Sequence, residues 1–239
     1  MRATLLFLPA LLLAGPADLG LPACSGPAEE LANRTAFVLC HSADRKTAVW
    51  TVYELRSAIQ TPAAARPKHF RRDTALATPG AADSDYRNSG WVRGHLVPAA
   101  DLSGEQALRD SFLLSNAVPQ DGSLNSGKWR LLEDRVRSLA AEADFVIVFT
   151  GPVFCSDSVR IGVNNVAVPC ALFKVAVASR NAHLTAYAAI LPNTGNPTES
   201  LRSFYTSVAE VERQTGLDFL SALPAKEKAA LEASVEPIP

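Results

Sequence analysis

Beyond its first residues the chain has no run long and apolar enough to cross a membrane, and even the leading run, 5–14, is too short for a bilayer. It has almost no net charge: 23 Lys and Arg stand against 24 Asp and Glu, for a formal −1. A global basic field of the kind that attracts nucleic acid is therefore missing. Any contact with a polyanion has to come from a local patch, such as Lys68-His69-Phe70-Arg71-Arg72. None of the four cysteines stands in a CxxC pair, which argues against a zinc site. There is no GxSxG elbow, no Walker-type phosphate loop and no HExxH helix, so three common hydrolytic layouts are excluded. Histidine is sparse, with four residues: His41, His69, His95 and His183.

What is present is an ordinary globular composition, 48% hydrophobic and 20% charged over 239 residues. That suits one sizeable domain with a real core. Arg2, the apolar run 5–14 and the small residues Gly15-Pro16-Ala17 read as a signal peptide occupying 1–23, with cleavage between Ala14 and Ala23. The mature domain is then 24–239, secreted or otherwise extracytoplasmic. Leu21-Pro22-Ala23-Cys24 loosely resembles a lipobox, but Pro22 and the distance from the apolar run argue against a lipid anchor. No stable membrane association is expected. A single arginine and no amphipathic basic face argue against a mitochondrial address. An even cysteine count in an exported chain suggests two disulfides among Cys24, Cys40, Cys155 and Cys170. Three pairings are possible; the local one, Cys24–Cys40 and Cys155–Cys170, closes two short loops and is favoured.

Strands are expected at 36–40, 48–53, 145–150, 164–169, 171–178 and 184–191, from their β-branched and aromatic content. Residues 60–67 form a Pro/Ala linker, and 115–124 read as a loop. Helices are expected at 128–142, 200–215 and 225–233. The first carries Trp129, Leu132, Val136 and Leu139 on one face, with Asn125 or Ser126 able to cap its start. Strands and helices together point to an α+β core with a central, largely antiparallel sheet.

The most informative segment is Ser89-Gly90-Trp91-Val92-Arg93-Gly94-His95-Leu96-Val97-Pro98. A strand puts Arg93 and His95 on one face, because side chains alternate. Gly94 leaves room for a ligand to approach the backbone. A permanent guanidinium charge beside an imidazole that titrates near neutrality suits phosphate chemistry. On the helix, Glu133 and Arg137 are four apart and by themselves read as a surface ion pair.

Residues 91–98, WVRGHLVP, resemble the DRGH signature of the DNA/RNA non-specific endonucleases. Residues 112–120, FLLSNAVPQ, are similar to that family's F-x-x-S-N-x-x-P-Q block, and 124–133 to its L-N-x-x-x-W-x-x-L-E block. Weaker matches flank these at 85–90, 166–169, 173–174, 211–219 and 223–224, so the resemblance spans 36–224. It implies a ββα-metal fold that hydrolyses phosphodiester bonds of DNA and RNA and leaves 5′-phosphate ends, as a monomer or homodimer. It further implies Asn125 as the protein ligand of one Mg²⁺ (or Mn²⁺) and His95 as general base. Glu133 would orient water around the ion, and Arg93 and Arg137 would offset phosphate charge. Arg71, with Lys68 nearby, matches a basic substrate-binding position more loosely.

The sequence departs from the signature at one place: Val92 stands where the family has Asp. Asp101 and Asp85 are the acids that could substitute. The rival expectation is a weakened or inactive nuclease-like domain that binds nucleic acid or a protein partner. The retained His95, Asn125, Glu133 and Arg137 argue against full decay.

Overall fold

A computed structural model describes residues 15–56, 65–156 and 158–239. The apolar part of the expected leader and most of the expected 60–67 linker lie outside them. No described helix is long and apolar enough to cross a membrane.

The strands are β1 (Glu29–Asn33), β2 (Phe37–Ser42), β3 (Thr47–Leu55), β4 (Val92–His95), β5 (Ala117–Gln120), β6 (Phe145–Val153), β7 (Arg160–Ile161), β8 (Val166–Ala167), β9 (Ala171–Arg180), β10 (His183–Pro192) and β11 (Tyr205–Thr206). The helices are α1 (Asp83–Tyr86), α2 (Glu105–Ser111), α3 (Gly122–Leu124), α4 (Arg130–Glu142), α5 (Val208–Thr215) and α6 (Ala225–Ala233). Seven strands form one sheet in the order β1-β2-β3-β6-β9-β10-β11, each pair antiparallel. β4 and β5 pair separately, as do β7 and β8.

The central strands are apolar throughout because both faces are covered. Val146 and Val148 of β6 face Leu132, Val136 and Leu139 of α4. Ile147 and Phe149, one residue out of phase, face Val208 and Val211 of α5 and Leu231 of α6. Helices therefore flank an antiparallel sheet on both sides, the α+β arrangement expected. Disulfides join Cys24 to Cys40 and Cys155 to Cys170. The first occupies the sulfur that a lipid anchor would need.

Several local expectations are corrected. Residues on either side of the expected leader boundary at 23 pack on the domain, with Leu19 fully buried and Ala23 O accepting from Trp50 Nε1 at 3.2 Å, while the following elements differ from expectation. Residues 117–120, read as loop, form β5, and 164–169 contribute only the two-residue β8. The helix expected over 200–215 begins late. Residues 201–204 make a 3₁₀ turn, β11 follows, and Ser207 caps α5 by accepting from Glu210 N at 3.1 Å. Gly216 does end α5, at φ 74°.

Packing at the sheet centre leaves no room at Gly151 of β6. A Cβ there would stand 2.6 Å from Val49 O and 2.8 Å from the Phe173 ring. Gly151→Ala is expected to cost about 1–3 kcal/mol, read as a lower urea midpoint at unchanged slope. An unchanged midpoint would show that the sheet centre yields.

Candidate active site

β4 reaches its position by pairing with β5 in the register Val92↔Gln120, Arg93↔Pro119, Gly94↔Val118, His95↔Ala117. Gly94 is required by this pairing. A Cβ on it would lie 2.6 Å from Gln120 Cβ, so the space above the glycine holds the Gln120 side chain and not a ligand. Gln120 is fully buried, and among the described residues neither end of its amide has a hydrogen-bond partner.

His95 closes β4 inside an aromatic cluster. Its ring centroid lies 4.7 Å from that of Phe70 and 4.9 Å from that of Phe112. Nε2 is enclosed with no partner; Nδ1 is not enclosed in this way. Burial, helped by the Arg66 charge, lowers the imidazole to about 3. His95 is therefore neutral across the physiological range, and the near-neutral titration expected from sequence does not hold in the metal-free chain.

Asn125 sits on an irregular turn. Asp121, rather than Asn125 or Ser126, starts this helical segment: its carboxylate accepts from Ser123 N at 2.8 Å and Leu124 N at 3.1 Å. Residues 125–129 then form a π-helical turn whose Gly127 lies off helix at φ −103°, ψ −111°. That glycine admits Asn196, whose Oδ1 accepts from Lys128 N at 3.0 Å. π-turns recur at functional sites because they re-aim side chains. Among the described residues the Asn125 amide has no hydrogen-bond partner.

α4 carries the acid and the base expected of it, but not as a pair. Arg137 is held by Asp101 and Asp134. Asp101 is buried and also accepts from Tyr53 Oη at 2.6 Å. Among the described residues Glu133 has no ion-pair partner. Desolvation pushes it up to about 7, against the pull of Lys174.

One cleft of about 360 Å³ is lined by Arg66, His95, Asn125, Arg130, Glu133 and Arg137, among others. Four expected residues thus meet: His95, Asn125, Glu133 and Arg137. Three do not line it. Arg93 turns to Asp83, with Nη2 at 2.7 Å from Oδ1 and 2.8 Å from its carbonyl, and its guanidinium lies over the Tyr86 ring. Arg71 lines a neighbouring hollow with Arg109, and Lys68 is exposed outside both.

Sequence reasoning missed Arg66, Arg130 and Lys174. Arg130 had a signal, since 130, 133, 134 and 137 share one helix face. Lys174 had one too, a lone charge in an apolar strand. Arg66, in a segment read as spacer, had none.

The acids proposed to replace the one missing at Val92 are both committed elsewhere. Asp85 accepts from Ala82 N, Asn164 N and Asn164 Nδ2, and Asp101 holds Tyr53 and Arg137. Val92 itself is 37% exposed.

A free amide oxygen and a carboxylate in an open cleft are hard donors with room for water, which fits Mg²⁺ or Mn²⁺. Among the described residues, Glu212/Asp218/Glu232 and Cys24/Glu29/Cys40 are close enough together to be considered for a metal, but neither is at this cleft and the two sulfurs of the second are joined in a disulfide.

Residues 15–226 match the family model for DNA/RNA non-specific endonuclease. The chain is 34% identical over 240 residues to "Endonuclease G, mitochondrial" of Bos taurus, covering 88% of this chain and 79% of that one. It is 31% identical over 216 residues to "Nuclease" of Serratia marcescens, covering 86% and 80%. Its fold superposes with a TM-score of 0.81, at 27% identity, on a chain in the crystal structure of the EndoG/EndoGI complex, covering 89% and 92%. The expected secreted address is overturned by these relatives, since endonuclease G and other relatives, from Danio rerio and yeasts, are mitochondrial by name. The chain belongs to the DNA/RNA non-specific endonuclease family and is a metal-dependent nuclease.

Proposed function

We propose that the cleft hydrolyses phosphodiester bonds of DNA and RNA with one divalent ion, Mg²⁺ or Mn²⁺, and leaves 5′-phosphate ends. The convergence of His95, Asn125, Glu133 and Arg137 on one cleft carries this reading. Asn125 would hold the ion, with Glu133 beside it. When bound, the ion supplies positive charge that offsets the phosphate and eases departure of the 3′ oxygen.

His95 takes the proton from the attacking water through the ring nitrogen that is not enclosed. Its neutrality leaves that lone pair available. A phosphodiester in the cleft adds negative charge beside the ring and raises its basicity in the complex. Arg137, fixed by Asp101 and Asp134, offsets charge on the pentavalent phosphate without having to reorganise. Arg66 and Arg130 add to the same field. Arg93, tied to Asp83, braces the entry to β4. Arg71 and Lys68 act outside the cleft, on phosphates flanking the scissile one. Contacts of this kind read backbone and not base, so sequence preference is weak.

The purified chain is expected to nick supercoiled plasmid and degrade RNA in Mg²⁺, and to stop in EDTA. His95→Ala and Asn125→Ala should each lower kcat by about 10²–10⁴-fold while melting cooperatively. Equal rates for wild type and His95→Ala would sink the reading.

Val92 is exposed, and the nearest side of Gly122 is open to it, so an acid fits there. Val92→Asp is expected to raise kcat by roughly tenfold, about 1.4 kcal/mol of barrier. If kcat stays level or falls, the acid missing from the signature does not limit this enzyme.

The metal-free chain carries two opposed pH dependences. Glu133, raised to about 7 from 4.5, binds its proton more tightly when folded. Its contribution is present at low pH and lost as pH rises from 4.5 through 7. His95, lowered to about 3 from 6.5, contributes above 6.5 and loses that as pH falls toward 3. In a chelator, Glu133→Gln should remove the share of the loss that Glu133 carries, so that over pH 6.5–7.5 the variant's midpoint rises, carried by His95 as its unfolded form deprotonates, while that of wild type falls. Thermal midpoints of this variant that fall alongside wild type over that window would contradict the assignment.

A further inference from the structure

We propose that Asn196 is a positioning residue: its amide, lodged against the π-helical turn, holds Asn125 on the side of the helical segment that carries Glu133. The inference rests on the reading of Asn125 as the ion's protein ligand given above.

Asn125 and Glu133 are eight residues apart. On an unbroken α-helix that spacing turns the second side chain about 80° from the first, since each residue adds about 100°. Both line the cleft all the same. The π-helical turn over 125–129 lies between them, and its i→i+5 bonding takes up one residue more than an α turn. Eight residues then subtend what seven do on a regular helix, about 20° short of two full turns. The irregular turn is what brings the amide and the carboxylate to one side.

Asn196 stands where that turn departs from the helix. A regular helix would direct Lys128 N at Leu124 O. Here Lys128 N donates to Asn196 Oδ1 at 3.0 Å. The same amide fills the space beside Gly127: a Cβ there would lie 2.4 Å from Oδ1 and 2.8 Å from Nδ2.

The loop that presents Asn196 is itself anchored to the sheet. Asn193, just beyond the end of β10, is 1% exposed. Its backbone N donates to Cys170 O at 2.8 Å, and its Nδ2 donates to Pro119 O at 3.0 Å and Pro169 O at 2.9 Å. Its Oδ1 accepts from Asp121 N at 2.9 Å. Gly195 then turns the chain at φ 68°, in the left-handed region open to glycine. One loop therefore grips the chain at Asp121, ahead of Asn125, and at Lys128, behind it. Asn196 is exposed, so water is able to satisfy Lys128 N in its place. Water is not tied to β10, however, and would leave the turn free to close into α-helix. The contact is explained by the register it imposes on Asn125.

The test reads Mn²⁺ binding without substrate, from the free-ion EPR signal, beside thermal midpoints in EDTA. Asn196→Ala should weaken Mn²⁺ binding about tenfold, as loss of a group supporting a metal ligand does. It should lower kcat at limiting metal, recover most of it at saturating metal, and leave KM for DNA within twofold. Gly127→Ala drives its methyl into the Asn196 amide and should weaken binding by a similar factor. In the double variant the methyl has room, and alanine favours helix over glycine. That variant should melt above Asn196→Ala and yet bind Mn²⁺ no better. A residue that only stabilised the fold would move both readouts in the same direction.

Mn²⁺ binding by Asn196→Ala within twofold of wild type would overturn the proposal, as would a double variant that binds like wild type. Should Gly127→Ala fail to fold, Asn196→Asp decides, measured at high salt where its added charge is screened. It keeps the oxygen that Lys128 N needs and should bind as wild type does; binding as weak as that of Asn196→Ala overturns the proposal. Asn125→Ala separates the two readings. If it alone loses the ion, the proposal fails and the metal assignment stands. If it binds Mn²⁺ as wild type does, the metal assignment fails and takes the proposal with it.

Discussion

The Asp101 carboxylate is the tie on which the cleft depends. It is enclosed between Tyr53 of the central sheet and Arg137 of α4, and it is delivered there by the turn that follows β4. One side chain thus fixes the distance between the sheet, the helix that carries Glu133, and the strand that carries His95. Burial alone disfavours its charge, while the guanidinium and the phenol favour it. Removing either partner would leave a buried anion uncompensated, a penalty of about 3–5 kcal/mol for the charged one. Arg137 is thus held from inside the core and not from the rim of the cleft.

The second constraint is steric. β4 can lie against β5 only because Gly94 has no side chain where Gln120 passes, and the turn bearing Asn125 forms only because Gly127 makes way for Asn196. Two glycines therefore set the positions of His95 and of the Asn125 amide independently. The hydrogen bonds of Asn193 join the halves: its Oδ1 accepts from Asp121 N at 2.9 Å, and its Nδ2 donates to Pro119 O at 3.0 Å. The end of β5 and the start of the Asn125 segment are thereby tied to the end of β10 and the segment beyond it.

Much of this was legible in sequence, and the boundary has a physical cause. Residues 145–149 are apolar without alternation because the sheet is covered twice, and that pattern is visible without coordinates. The α4 stripe Leu132, Val136 and Leu139 is visible for the same reason, and short loops favoured the disulfide pairs found. What escaped depends on partners distant in sequence. β5 is a strand only because β4 lies beside it. Arg93 leaves the cleft because Asp83 is within reach, which alternation along β4 cannot reveal. The ligand space assigned to Gly94 belongs to Gln120, 26 residues later. The imidazole value was wrong for a related reason: Phe70 and Phe112 enclose His95 from two segments distant in sequence, and the Arg66 charge adds to the effect of burial.

Val92 concentrates what remains specific to this chain. Alternation puts residue 92 on the opposite side of β4 from 93, and it is partly open to solvent, so the substitution costs the fold little. The neighbouring acids cannot migrate to cover it. Asp85 would abandon three donors around the start of α1 and Asn164, Asp101 would release Arg137, and Asp83 would release Arg93. Each exchange gives up satisfied hydrogen bonds to buried or partly buried groups, worth about 1–3 kcal/mol apiece when an ionised carboxylate accepts them. Hence the loss is local and uncompensated. The charge balance that positions Glu133 and Arg137 does not pass through residue 92, so the machinery around the cleft survives a change at this corner.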